Sequence, residues 1–82
     1  MAQQPDMRAL VEYIAKNLVE KTDEVFVDSF EERGETVLEL EVAEDEMGRV
    51  IGKQGRTARS IRTILGAASM KLHKRYTLEI IE

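Results

Sequence analysis

The hydrophobic pattern changes period three times along this chain, and the changes mark its elements. Met7, Leu10, Val11, Ile14 and Leu18 recur at helical spacing, with Glu12, Lys16 and Glu20 on the other side. This predicts an amphipathic helix of about four turns, started by Pro5-Asp6 and ending near Thr22. A domain this small needs that apolar face for its own core; a partner helix is the alternative use. Residues 24–32 read as a strand, with Val25-Phe26-Val27 rich in β-formers and Phe30 continuing the Phe26 face. The polar stretch Glu31-Glu32-Arg33-Gly34-Glu35 reads as a hairpin turn. Residues 36–42 are the clearest strand. Leu38, Leu40 and Val42 form its buried face, and Val37, Glu39 and Glu41 its wetter one. The first two strands are therefore expected to be antiparallel neighbours.

Glu44-Asp45-Glu46 precedes a short helical segment through Ile51, where acidic residues suit the helix dipole. Gly48 weakens that helix by up to about 1 kcal/mol relative to alanine. It permits either close packing or close approach of a ligand. Residues 56–74 read as a long helix. Ala58, Ile61, Leu65, Ala68 and Leu72 form its core stripe, with Ile64 beside it, and Arg56, Arg59, Arg62 and Thr63 occupy another sector. Gly66-Ala67-Ala68-Ser69 lacks bulk, so it suits either a contact within the domain or a homodimer seam. Lys71, His73, Lys74 and Arg75 place positive charge at the helix end. Tyr76, Leu78 and Ile80 alternate with Thr77, Glu79 and Ile81 in a final strand.

Composition narrows the function. The 82 residues make one domain, with residues 1–5 expected to be disordered. Two Phe and two Tyr leave a mostly aliphatic core. Absent cysteine excludes disulfides and thiolate metal sites, and one histidine makes a metal centre improbable on ligand grounds. No apolar run spans a membrane and no signal peptide is apparent, so a cytoplasmic protein is expected. Neither a phosphate-loop signature nor a nucleophile motif is present, which argues against an enzyme and requires no cofactor.

Net charge is −4, but it is unevenly spread. Residues 1–46 carry 14 acidic and 4 basic side chains; residues 47–82 carry 2 acidic and 8 basic. From Arg49 to Arg75 there are eight cations and no anion. Such asymmetry points to a polyanion partner.

At the head of this basic segment stands Val50-Ile51-Gly52-Lys53-Gln54-Gly55-Arg56. Two glycines bracket a basic-polar pair, between a short helix and a long one. The loop carries little bulk, so its backbone can approach another molecule. The first turn of the following helix offers free N–H groups and partial positive charge. Lys53, Arg56 and Arg59 add formal charge, features that suit a phosphate backbone.

This stretch, with Ile61-Arg62 and Ile64 after it, resembles the signature loop of KH domains. KH domains clamp about four nucleotides of single strand at a GXXG loop. The size and element order resemble the small stand-alone bacterial KH proteins of the KhpA type. The resemblance implies an α+β, type II KH fold with order α-β-β-α-α-β and a three-stranded mixed sheet carrying three helices on one face. Its second and third strands would be parallel, joined by a right-handed crossover. It further implies a single-stranded RNA-binding protein acting as RNA chaperone or post-transcriptional regulator. The expected RNA-binding residues are Arg49, Val50, Ile51, Gly52, Lys53, Gln54, Gly55, Arg56 and Arg59. Val50, Ile51 and Ala58 would touch base faces. Alanine at position 58, where many KH domains carry a larger aliphatic residue, implies loose base selectivity. Self-association, or pairing with a Jag-type KH protein, is the implied assembly. The alternative is a protein-interaction or dimerisation module whose nucleic-acid groove is weak or unused.

Overall fold

A computed structural model describes residues 6–81. The proposed helix start at Pro5 and the expected disorder of residues 1–5 lie outside them. The elements are α1 (Met7–Lys16), β1 (Phe26–Glu32), β2 (Glu35–Glu41), α2 (Met47–Ile51), α3 (Arg56–Leu72) and β3 (Arg75–Ile80). Single 3₁₀ turns precede β1 (Thr22–Glu24), α2 (Glu44–Glu46) and α3 (Lys53–Gly55). The sheet order is β1-β2-β3, with β1 antiparallel and β3 parallel to the central β2. This is the mixed sheet and element order of a type II KH fold.

The hairpin closes through Arg33 and Gly34, both at positive φ (53° and 81°). That two-residue geometry matches the right-handed twist of the strands it joins. Facing residues then fall into register, with Val27 opposite Leu40 and Phe30 opposite Val37. The pleat sends Val27, Leu38, Leu40 and Leu78 to one face. There they share a core with Met7, Val11 and Ala15 of α1 and Ile61 and Leu65 of α3. No aromatic ring belongs to this fully buried core.

Two expectations need correction. Helix α1 ends at Lys16, about six residues early. The Asn17 amide Nδ2 donates to the Tyr13 carbonyl at 2.8 Å, and the Asn17 N–H is shared by the Tyr13 and Ile14 carbonyls. Leu18 and Val19 still contact the core after the helix stops, so helical spacing outlasts the helix. Val37, placed on the wetter face, is buried although it lies outside the helix-side core. It sits on the central strand between Phe30 and Thr77, which cover it from both sides.

The edges of the sheet are also managed. An edge strand exposes unpaired backbone groups that invite another strand. On β1 the Val27 carbonyl accepts from Arg8 of α1, and on β3 the Leu78 carbonyl accepts from Arg62 of α3, each at a long 3.5 Å. Arg62 thus points back to the sheet, away from the sector of Arg56 and Arg59.

Candidate nucleic-acid interface

The candidate site is built from how α2 ends and α3 begins. Gly52 terminates α2 at φ 79°, ψ 170°, with its N–H donating to the Gly48 carbonyl at 2.8 Å. Essentially only glycine occupies this backbone region. A Cβ at Gly52 would also strike the Thr57 side chain and lie 2.7 Å from the Thr57 nitrogen. Two constraints therefore hold this position. Gly55 obeys only one of them: its φ of 73° is left-handed, but a Cβ there would meet open space. Between them the chain makes one 3₁₀ turn, with Gln54 at φ 57° and the Gly55 N–H donating to Gly52 at 3.1 Å.

This geometry leaves Lys53 and Gln54 fully on the surface, followed by exposed Arg56 and Arg59. Arg59 reaches back one turn and donates to the Gln54 carbonyl at 3.4 Å, which tethers the loop and keeps its charge beside it. No side chain caps the start of α3. The Arg56 N–H donates to the Lys53 carbonyl, and the other N–H groups of the first turn are left for solvent or an anion, with the dipole favouring negative charge. Among the described residues, no cation from Lys53 onward has an ion-pair partner.

The other proposed site residues divide. Ile51 is half-buried beside the loop. Val50 is 0% exposed and Ala58 only 3%. Both side chains are core, so neither can touch a base face as expected. A helix of five residues shows too little periodicity to reveal which side is inside. Arg49 is exposed but committed to carboxylates, at 3.7 Å from Glu20 and 3.9 Å from Glu46. Gly48 faces open space, so packing does not require glycine there.

Glu46 was not singled out from the sequence. It is 6% exposed, the one buried charged side chain among the described residues. Its carboxylate accepts from the Glu20 N–H at 2.7 Å and the Lys21 N–H at 2.9 Å. Those donors hold its carboxyl below the usual glutamate range, Glu20 foremost and Lys21 next, with Arg49 adding to the effect. Beside it, Lys21 bonds Asp45 at 2.8 Å; this pairing raises the lysine and lowers the aspartate. The acidic triplet therefore bolts the start of α2 to the segment after α1, and so positions the loop that α2 leads into. Its only signal in sequence is three adjacent acids before a helix, which equally describes dipole complementarity.

Comparison with known proteins gives the family of the chain. The family model described as "KhpA/KhpB, KH domain" matches residues 8–80. The chain belongs to the KhpA/KhpB KH-domain family. Its relatives include the RNA-binding protein KhpA of Clostridium acetobutylicum, 51% identical over 92% of this chain and 100% of that one. RNA-binding protein KhpA of Aquifex aeolicus is 49% identical over 93% of this chain and 96% of that one. The protein of the same name from Borreliella burgdorferi is 47% identical, with 89% of each chain covered. The KhpA/KhpB match spans both helices around the loop and all three strands, so family and fold agree along the described chain. No helix among the described residues is long and apolar enough to cross a membrane.

Proposed function

We propose that this chain binds single-stranded RNA, with the phosphate backbone against the loop of residues 52–55. The observation that carries the reading is the unpaired, acid-free cation group around a glycine loop at an uncapped helix start. Lys53 and the first-turn N–H groups of α3 after Arg56 hold phosphate, and the Arg56 and Arg59 side chains extend the positive track. Gly52 and Gly55 let the strand approach, and Ile51 offers its exposed part to a base. Arg49 contributes less, because carboxylates already neutralise it. The names of its relatives support RNA as the polymer. Few bases can be read by so small a surface, which fits a chaperone or post-transcriptional regulator in the cytoplasm rather than a sequence-specific factor.

The test is fluorescence anisotropy with a single-stranded RNA oligomer at two salt concentrations, comparing the wild type with Lys53→Asp plus Gln54→Asp. Both side chains are exposed, and aspartate tolerates the left-handed conformation of position 54, so the double variant folds. Salt-sensitive binding that is lost in the folded variant supports the reading. Equal binding by both proteins removes it.

A second reading, assembly through α3, has its own observation. Ile64, Ala67 and Met70 are exposed at successive turns of that helix, Met70 by 80%. Ser69, in contrast, is engaged within the domain: it donates to Leu65 and accepts from the Tyr76 N–H. A homodimer, or pairing with a Jag-type KH protein, across this strip would link two weak RNA surfaces and raise avidity. Sedimentation of Met70→Asp tests it: unchanged self-association would exclude this strip.

A further inference from the structure

The helices cover one face of the sheet and leave the other bare. Three of the six exposed large apolar side chains, Phe26, Phe30 and Ile81, belong to this bare face, and Val37 lies between the strands that carry them. At one end Phe26, Met47 and Ile81 line a cavity of about 390 Å³, together with Glu24, Glu41 and Glu44. Along the face the pleat aligns Glu41 with the carboxylates of Asp28, Glu32, Glu35, Glu39 and Glu79, against the single strand cation Arg75. Glu35 accepts from Thr77; none of the six forms an ion pair among the described residues.

We propose that this face docks a lysine- or arginine-rich segment of another protein that carries one aliphatic or aromatic anchor. Charge selects the occupant. Six carboxylates repel a nucleic acid or an acidic protein and attract a cationic segment. The apolar end adds a second requirement: exposed rings beside a cleft bind a side chain of leucine or phenylalanine size, and burying it is what turns diffuse attraction into a defined pose. The Phe26 and Phe30 rings also offer faces to guanidinium or ammonium groups. Since α1 and α3 pack on the opposite side of the sheet, the partner can bind while the loop of residues 52–55 stays open. The proposal stands independently of RNA binding.

The test uses a labelled twelve-residue peptide of lysines and arginines with one central leucine, and a twin with serine in its place. The leucine peptide should bind about tenfold more tightly or better, as expected from burial of one aliphatic side chain. Phe26→Ser should bring it to the serine level. Asp28→Asn with Glu39→Gln, which keeps side-chain shape, should weaken both peptides and flatten their salt dependence while leaving RNA affinity unchanged. Amide shifts of the labelled protein should fall on β1, β2 and β3. Equal binding of the twins, no binding, or shifts confined to α2 and α3 would overturn the proposal. So would loss of self-association of the free chain in Phe26→Ser, which would assign the face to a second copy.

Discussion

The acidic triplet at residues 44–46 and the basic group that begins seven residues after its last member are both dense charges on short turns. They are used in opposite ways. Glu46 has two backbone donors, Asp45 has Lys21, and Arg49 is drawn to Glu46 and Glu20. Two of the triplet's three charges, and Arg49 beside them, are answered from inside the domain. Lys53, Arg56 and Arg59 form no ion pair among the described residues, and Arg59's bond goes to a backbone carbonyl. Charge density alone therefore does not mark a binding surface. What marks it is charge that the fold leaves unanswered, because an unpaired cation in water loses little by exchanging solvent for phosphate.

The sharpest way to break this contrast is at the glycines that present the basic loop. Gly52→Ala forces a glycine-only backbone and a clash with Thr57. It is expected to destabilise the domain by about 3 kcal/mol and to remove RNA binding. Gly55→Ala, strained in φ alone, should be milder, by about 1 kcal/mol. Urea midpoints with matched anisotropy titrations separate the two. The next effect compares cations. Lys53→Ala should lower the slope of log affinity against log salt by about 0.7, the value of one single-strand phosphate contact. Arg49→Ala should leave that slope nearly unchanged. Equal slopes for the two variants would erase the distinction between paired and free charge.

Smaller still is the effect at Glu46, and it depends on pH. A carboxyl whose pKa is lower in the folded state stabilises above its unfolded value, near about pH 4.3. That contribution disappears as pH falls through the depressed folded value. Glu46→Gln replaces one acceptor oxygen by a donor amide facing a backbone N–H, so it should unfold at lower urea than the wild type at neutral pH. The two curves should converge in acid. The smallest change is expected for Lys21→Ala. Its exposed pair with Asp45 is screened by salt, so any loss of stability seen at low salt should vanish at high salt.

Much of this architecture was legible because it rests on local period. The alternation in β2, the stripe of Ala58, Ile61 and Leu65, and the turn residues Arg33-Gly34 each report their surroundings within a few positions. The loop glycines were legible for the same reason. What escaped was set by distant partners or by short elements. Asn17 stops α1 while Leu18 keeps the helical spacing, so the pattern overran the cap. Glu46 finds its donors 25 and 26 residues away. Ile64, at the margin of the α3 stripe, stays exposed, since spacing places it beside the buried stripe without saying how far burial extends. Within the site, α2 is too short to declare its inner side. Its sequence therefore offers Val50 to the ligand as readily as to the core, where the fold buries it.

The two arginines that take edge carbonyls have a consequence for how this protein ages. Where carboxylates keep strand edges apart, their repulsion fades in acid. A guanidinium keeps its proton at every pH a cell or a purification column reaches. Arg8 and Arg62 thus guard both rims of the sheet in acid as in neutral solution. This acidic protein, with an isoelectric point near 5.0, loses its mutual repulsion in mild acid, where open rims would nucleate fibrils. Precipitates formed near that pH should therefore redissolve as folded molecules.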